Sequence, residues 1–346
     1  MNKSNLSSVT NNFTEIKTSE GYDQTTIYQH QLPSNLRVYQ LPHFDRPLWS
    51  VTTILEIISK GQFFENWKLS EGNKALQTVL APHFGEPLSE ELLNSAIQSS
   101  KNRPSEIASR GAEIGSIAHD LLSRLIDACI KEQGEDVTSG RTRGAYIPVS
   151  KFLDIEKERA VSLSEGDFEY TFGNDLWNVL ESFQEFCDTY HPIWFESERA
   201  VYRQDARDRL DYAGTVDALC KIGGRPFIID FKTSKSIYDH MALQVSAYAN
   251  ALEEGSYSSL LFSREAGSFI SPISAVLQLS KDRVAYDFKI VRNPDEAFRA
   301  FIGAYRLWKT MRISRLSRKD VAYLDKFFEL TGTSKLWQSN WTEGGA

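Results

Sequence analysis

Cysteine is scarce in this sequence, and long apolar runs are absent. Its 346 residues contain three cysteines, Cys129, Cys187 and Cys220, which lie far apart and form no CxxC pair or Cys/His cluster. This spacing argues against a disulfide framework, a zinc finger and an iron–sulfur site. No window approaches the roughly 18 consecutive apolar residues that a membrane span needs. The N-terminus has neither the apolar core of a signal peptide nor the arginines of a transit peptide, so we expect a cytoplasmic protein.

Positive charge is also in short supply. The chain has 39 basic and 46 acidic residues, which give a formal net charge of −7. This balance excludes a protein that coats nucleic acid by bulk charge, but it leaves room for a local basic track on an acidic body. The hydrophobic fraction of 41% and the charged fraction of 25% are ordinary for a globular protein. A chain of this length can bury a substantial core without disulfides or metals.

The patterning predicts one domain behind a polar N-terminal tail. Residues 1–30 are rich in Ser, Thr and Asn, and we expect them to be poorly ordered. Residues 31–346 are assigned to a single domain with a helical segment over 50–130, a surface loop over 131–145 and a core over 195–250. Apolar spacing predicts helices at 50–69, 104–130, 175–190, 240–255, 294–311 and 318–330. Alternation predicts strands at 36–41, 196–203, 212–222, 225–233, 274–280 and 284–291.

The order of these elements predicts a mixed α/β fold built around an antiparallel hairpin. It does not show the regular βαβ alternation of a doubly wound sheet.

The most informative segment is the hairpin that turns at Gly223 and Gly224. These glycines separate two alternating apolar runs, which is the signal of a two-residue turn. In that register Asp217 lies opposite Asp230, with the Cβ atoms about 4.5–5.5 Å apart on one face of the sheet. Lys232 follows two residues later and lies on the same face. Two carboxylates and an amine are therefore expected to meet at one end of the hairpin.

Opposed carboxylates repel each other, and a divalent cation with oxygen ligands would neutralise them. We expect Mg²⁺ or Mn²⁺ to be held by Asp217, Asp230 and the backbone carbonyl of Phe231, where it would polarise a phosphate. Lys232 would hold or deprotonate the attacking water, or stabilise the developing negative charge. The alternative is a surface salt bridge between Asp230 and Lys232, with Asp217 in solvent.

These residues resemble a known family. Asp217, followed by the Asp230-x-Lys232 pair, resembles the PD-(D/E)XK nuclease superfamily. The segments GTVDAL and IIDFKTSK, together with Gln244 and Tyr248, resemble its RecB-type exonuclease group more specifically. Gln244 and Tyr248 are i and i+4, so they share one helical face. The resemblance implies a restriction-endonuclease-like three-layer core in which Gln244 lies near the reacting water or phosphate and Tyr248 supports it.

Further positions match the RecB-type group. Its helix with a glycine four residues before a histidine corresponds to Gly115 and His119, which implies that His119 is a metal ligand. The group also places an acidic residue before the Gly-x-x-Asp motif. Glu198 is the best candidate, but Glu196 lies on the same strand face by alternation and stays open. The SVT segment at Ser50 resembles the exonucleases of mitochondrial genome maintenance and their phage and bacterial relatives. Some of these carry an iron–sulfur cluster, for which this chain lacks the cysteines.

The resemblance implies a metal-dependent exonuclease that hydrolyses DNA from its ends. Single-stranded DNA or flaps are the expected substrate, in repair, recombination or genome maintenance, and no partner protein is indicated. An endonuclease of the same superfamily and a non-catalytic DNA-binding subunit remain as alternatives. Basic side chains on and near the core are expected to contact phosphates: Arg110, Arg199, Arg203, Arg207 and Lys235.

Overall fold

The structure is a computed structural model that describes residues 13–17, 26–34, 36–41, 47–58, 61–134, 144–164, 173–205, 210–254, 271–320, 322 and 324. No helix in these ranges is long and apolar enough to cross a membrane.

A single mixed sheet runs through the described residues. Its nine strands are β1 Phe13–Lys17, β2 Thr26–Gln31, β3 Arg37–Gln40, β4 Leu48–Ser50, β5 Ile193–Asp205, β6 Leu210–Ile222, β7 Arg225–Lys232, β8 Ile273–Leu279 and β9 Tyr286–Ile290. The strand order is β1-β2-β3-β4-β6-β7-β8-β9, and β5 pairs with β6. The β4–β6 and β7–β8 pairs are parallel, whereas the other pairs are antiparallel.

Helices cover both faces of this sheet. They are α1 Val51–Leu55, α2 Gly61–Leu80, α3 Glu90–Gln133, α4 Ser150–Ser164, α5 Gly173–Tyr190, α6 Asp239–Glu254 and α7 Pro294–Arg315. One apolar core joins α1, α6 and α7 to strand residues such as Ile228, and a second joins α3, α4 and α5 to residues such as Ile229. Because neighbouring strand residues point to opposite faces, β7 contributes to both cores. The predicted three-layer α/β fold with an antiparallel hairpin is confirmed.

Strand β6 is the element around which the candidate site is arranged. One edge pairs with β5 along almost its whole length. The other edge pairs with β4 at residues 212–213 and with β7 at residues 218–222. Between these stretches, residues 214–217 have no partner strand on this edge in the described part of the chain. Side chains from other elements can therefore approach the backbone of β6 there.

Two helix predictions are wrong in their boundaries. The helix expected over 50–69 is two elements, because α1 ends at Leu55, a turn follows at residues 56–58, and α2 begins at Gly61. The helix expected from residue 104 begins at Glu90, where the Ser89 hydroxyl accepts the backbone N–H of Leu92 at 3.1 Å. Pro104 lies inside α3, so it is not the start signal that the sequence indicated.

The region that the sequence predicts to be a poorly ordered tail contains strand β1 and most of strand β2. Residues 13–17 and 26–31 are the antiparallel strands β1 and β2, so backbone pairing organises a segment whose composition is polar. Most of the loop predicted over 131–145, and most of the helix predicted over 318–330, lie outside the described residues.

Candidate active site

The hairpin has the predicted register. Ile222 pairs with Arg225, and the pairing continues to Ala218 opposite Ile229. Just beyond the last pair, the backbone N–H of Phe231 donates to Oδ2 of Asp217 at 2.6 Å. Asp217 thus holds β7 at the point where it leaves β6. The structure shows the N–H of Phe231 in use, and the ligand role of its carbonyl stays a prediction.

Asp230 is held from two sides. The side-chain amide of Gln244 donates to Oδ1 of Asp230 at 2.9 Å, and the ammonium of Lys232 contacts Oδ2. The same amide donates to the hydroxyl of Tyr248 at 3.1 Å, so the i and i+4 pair on α6 acts as one unit. Burial, together with the nearby Asp217 carboxylate, raises the pKa of Asp230 to about 6, although Lys232 opposes the shift.

This geometry speaks against a surface salt bridge. Asp230 is 2% exposed and Asp217 is 8% exposed, so neither carboxylate stands in solvent. Two buried carboxylates at one strand end need compensating positive charge, since desolvation disfavours their ionised form.

A second set of side chains meets Asp217 from α3 and β5. Nδ1 of His119 lies 3.2 Å from Oδ1 of Asp217. Three residues each offer one ligand atom, and these three atoms lie within 4.8 Å of one another: His119, Glu198 and Asp217. Burial would lower the pKa of His119, but the Asp217 carboxylate outweighs it and the pKa is raised. Burial would raise the pKa of Asp217, but His119 and Lys232 outweigh it and the pKa is lowered.

The backbone of β5 separates the two glutamates that the sequence left open. Glu198 has a φ of +47°, which breaks the alternation of the strand. Its carboxylate joins His119 and Asp217, and burial with the Asp217 charge raises its pKa to about 7, even though the residue reaches the surface. Glu196 instead accepts from Arg199, whose nitrogen lies 2.8 Å from both carboxylate oxygens. A strained backbone is typical of functional sites.

Two glycines allow close approaches at the site. A Cβ on Gly214 would lie 2.3 Å from Cε1 of Tyr248, so only glycine fits where the tyrosine ring crosses β6. A Cβ on Gly115 would lie 3.3 Å from the hydroxyl oxygen of Thr233, in the loop after β7. The sequence reasoning missed the roles of Gly214 and Thr233. The available signal was a glycine in the interior of a strand, which often marks a close approach.

The basic residues predicted to contact phosphates lie in different surroundings. The guanidinium of Arg199 is buried and donates to Glu196, and its role as a phosphate contact stays a prediction. Arg203 contacts the side-chain oxygen of Asn250 and lies over the ring of Phe298, with its guanidinium carbon 5.2 Å from the centroid.

Two predicted phosphate contacts remain near the surface. Arg110 lies 3.8 Å from a carboxylate oxygen of Asp175, and Lys235 is exposed in the loop after β7. Arg207 lies outside the described residues.

A comparison with protein families identifies the architecture. Residues 93–317 match the model of the PD-(D/E)XK nuclease superfamily, and this range contains β5 to β9 and every residue of the site described above. The chain belongs to the PD-(D/E)XK nuclease superfamily. Membership indicates nuclease activity and agrees with the restriction-endonuclease-like layering of the sheet and helices. No curated protein matches the sequence.

The residues present fit a divalent cation, which nucleases of this superfamily use. The candidate ligands are two carboxylate oxygens and one imidazole nitrogen, from Glu198, Asp217 and His119. Hard oxygen donors suit Mg²⁺ and Mn²⁺, and imidazole is compatible with Mn²⁺ in particular. Burial is the main cause of the raised pKa of Glu198, with the Asp217 charge second, and a cation bound there would favour the ionised carboxylate.

Proposed function

We propose that this protein is a metal-dependent DNA exonuclease of the RecB-like group, acting on single-stranded ends or flaps in repair, recombination or genome maintenance. The observation that carries the proposal is the convergence of His119, Glu198 and Asp217 beside the buried Asp230–Lys232 pair. We assign the cation-binding role to the first three residues and to Asp230. A cation held there supplies Lewis acidity toward a phosphate oxygen and lowers the pKa of a water.

The remaining side chains orient the reactants. Lys232, whose ammonium contacts Asp230, holds the attacking water by a hydrogen bond or stabilises negative charge on the phosphate. Gln244 fixes the carboxylate of Asp230 and is itself fixed by Tyr248, so the acid keeps one orientation. Hydrolysis is a direct in-line attack of water on the phosphodiester. No covalent enzyme intermediate is needed.

Aromatic and basic side chains of α2 and the first half of α3 favour a single-stranded substrate. The rings of Phe64 and Trp67 stack with centroids 5.4 Å apart, and the ammonium of Lys68 lies over Phe64. These side chains line a groove together with Lys101 and Pro104 of α3. Half-buried aromatic rings next to lysines offer stacking and phosphate contacts to unpaired bases, which a duplex would keep inside its stack.

The test is degradation of end-labelled DNA in Mg²⁺ or Mn²⁺. A linear single strand should yield short products, whereas a covalent circle of the same sequence should survive because it has no end. Bulky adducts on both ends of the linear strand should protect it. Rapid nicking of the circle would instead favour an endonuclease with the same residues at its site.

Substitution of the acids tests the assigned residues. Asp217→Asn or Asp230→Asn should lower the cleavage rate by at least about 10³-fold, since each removes a charge at the centre of the site, while DNA binding stays measurable. Asp287→Asn is the matched control, because Asp287 lies half-exposed on β9 and pairs with Lys289 at 2.9 Å. Near wild-type cleavage by either site variant would show that the acids are assigned wrongly.

A further inference from the structure

Two loops contact α3 at glycines that precede His119 by one and two turns. The loop after β7 brings the hydroxyl of Thr233 to Gly115. The loop between β8 and β9 brings Nζ of Lys281 to Gly111, where a Cβ would lie 3.7 Å away. Residues four apart follow one another along a helix face, so Thr233 and Lys281 lie in a row that begins at His119.

The position of Lys281 is fixed by the neighbouring helix. The side chain of Asn178 on α5 donates to the backbone oxygen of Lys281 at 2.7 Å. Ser182, one turn further on, accepts the backbone N–H of Ala285 at 2.9 Å, and Ser280 donates to the carbonyl of Ala285 to close the loop. These hydrogen bonds anchor the loop backbone at both ends. The backbone position of Lys281 therefore does not depend on contacts of its side chain.

The charge of Lys281 is incompletely compensated. Within the described ranges no carboxylate lies within 4 Å of its ammonium. Asp175 and Asp282 line the same cleft, but Arg110 is the closer partner of Asp175. Burial lowers the pKa of the Lys281 amine, and these two acids do not offset it. Arg110 and Lys235 add positive charge nearby.

We infer that Lys281 binds a backbone phosphate of the substrate strand at a distance from the reacting phosphodiester. The inference rests on the proposed function and extends it to the substrate length that the enzyme requires. Eight residues of helix separate Gly111 from His119, which is about 12 Å at 1.5 Å per residue. In a stacked strand that rises about 3.4 Å per nucleotide, this distance corresponds to three or four nucleotides.

The chemistry of the position favours phosphate. A lysine ammonium binds phosphate as a compact charge with three donors, and it needs no planar partner. Gly111 carries no side chain to cover the ammonium, at a cost of about 1 kcal/mol in helix propensity. Thr233 lies between Lys281 and the metal-site residues, so its hydroxyl can donate to the phosphate in between.

Binding without cleavage gives the first test. Affinity for a 12-nucleotide single strand is measured by fluorescence anisotropy in EDTA between about 50 and 200 mM salt. Loss of one phosphate contact should reduce the slope of log K against log salt by about 0.7 in Lys281→Ala, and Lys281→Arg should keep most of the slope. Lys289→Ala, at an exposed lysine on the adjacent β9, should retain the wild-type slope. An unchanged slope in Lys281→Ala, with a normal melting temperature, would overturn the inference.

Substrate length gives the second test. The wild-type to Lys281→Ala ratio of kcat/KM should be about tenfold larger for a 12-nucleotide strand than for a 3-nucleotide strand, because the shorter one cannot reach Lys281. An equal ratio for both lengths would contradict the inference. Failure of the proposed function gives a different outcome. The wild type would then degrade neither strand, whereas the slope of log K against log salt could still be measured in EDTA.

Discussion

At the scale of single residues, Gly214 is a position in the site where no Cβ fits without movement of a neighbour. Gly214→Ala would place a methyl group 2.3 Å from the Tyr248 ring. The hydroxyl of that ring accepts a hydrogen bond from Gln244, which holds the ring in place. We expect a loss of about 1–3 kcal/mol in the free energy of unfolding, from overpacking, and a fall in kcat through the displaced Asp230. Denaturant unfolding and single-turnover cleavage measure the two effects.

Gly303→Ala is the matched control for this prediction. Gly303 lies in α7, where no other atom lies within 4 Å of the position that a Cβ would take, so alanine there should be neutral or stabilising by up to about 1 kcal/mol. A Gly214→Ala variant as stable and active as this control would show that Tyr248 can move away without consequence.

Glu196 and Glu198 give a paired prediction, because the structure assigns them different surroundings. Glu196→Gln removes the carboxylate charge beside the buried guanidinium of Arg199 and should cost about 3 kcal/mol of stability. Glu198→Gly removes a side chain from a φ of +47° and should retain or raise stability by about 1 kcal/mol, while metal-dependent cleavage falls. Thermal unfolding without metal and cleavage in Mg²⁺ distinguish the two. If Glu196→Gln lost cleavage and Glu198→Gly lost stability, the assigned roles of the two glutamates would have to be exchanged.

At the scale of secondary-structure elements, the sequence predicted the hairpin well and the bounds of the helices α1 to α3 poorly. The hairpin register follows from local turn chemistry and alternation, so Gly223 and Gly224 were sufficient to set it. The start of α3 was misplaced because proline at a helix start and proline inside a helix look alike locally. Likewise, alternation could not separate Glu196 from Glu198, since a single residue with positive φ reorients the side chain.

Strand β2 carries a pH-dependent element at His30. Burial lowers the pKa of His30 from its usual 6.5 to about 4, so the folded state prefers the neutral ring. The unfolded chain then binds more protons between these values, and the His30 contribution to stability is lost as pH falls from about 6.5 to about 4. The cost at the acid end is about 3 kcal/mol.

The pH effect is measured as a difference between variants. The stability of His30→Leu relative to the wild type should improve steadily as pH falls from 7 to 4.5, in urea unfolding at fixed salt. His83→Leu, at an exposed histidine directly after α2, is the control for replacing a histidine by leucine. A constant difference between wild type and His30→Leu across this range would indicate that His30 is not buried in its neutral form.

At the scale of the whole molecule, the site is an assembly of distant segments that local patterns do not connect. His119 lies on a helix of one layer, Glu198 and Asp217 lie on adjacent strands of the sheet, and Gln244 lies on a helix of the opposite layer. Sequence spacing could suggest each residue, and the family resemblance could join them. Their contacts, such as the 3.2 Å approach of His119 to Asp217, follow only from how the layers pack.

This assembly predicts that a divalent cation stabilises the whole fold. A cation that binds the folded chain at 100 times its Kd adds about 2.7 kcal/mol, which for a chain of this size raises Tm by about 3–4 °C. Asp217→Asn should abolish the shift in Mg²⁺, whereas His119→Ala should weaken it in Mg²⁺ and recover part of it at high Mn²⁺. His83→Ala should shift like the wild type, because His83 lies outside the ligand set. Differential scanning calorimetry with EDTA, Mg²⁺ and Mn²⁺ measures this. If the wild-type Tm were the same in EDTA, Mg²⁺ and Mn²⁺, this would show that His119, Glu198 and Asp217 lie together without binding a cation.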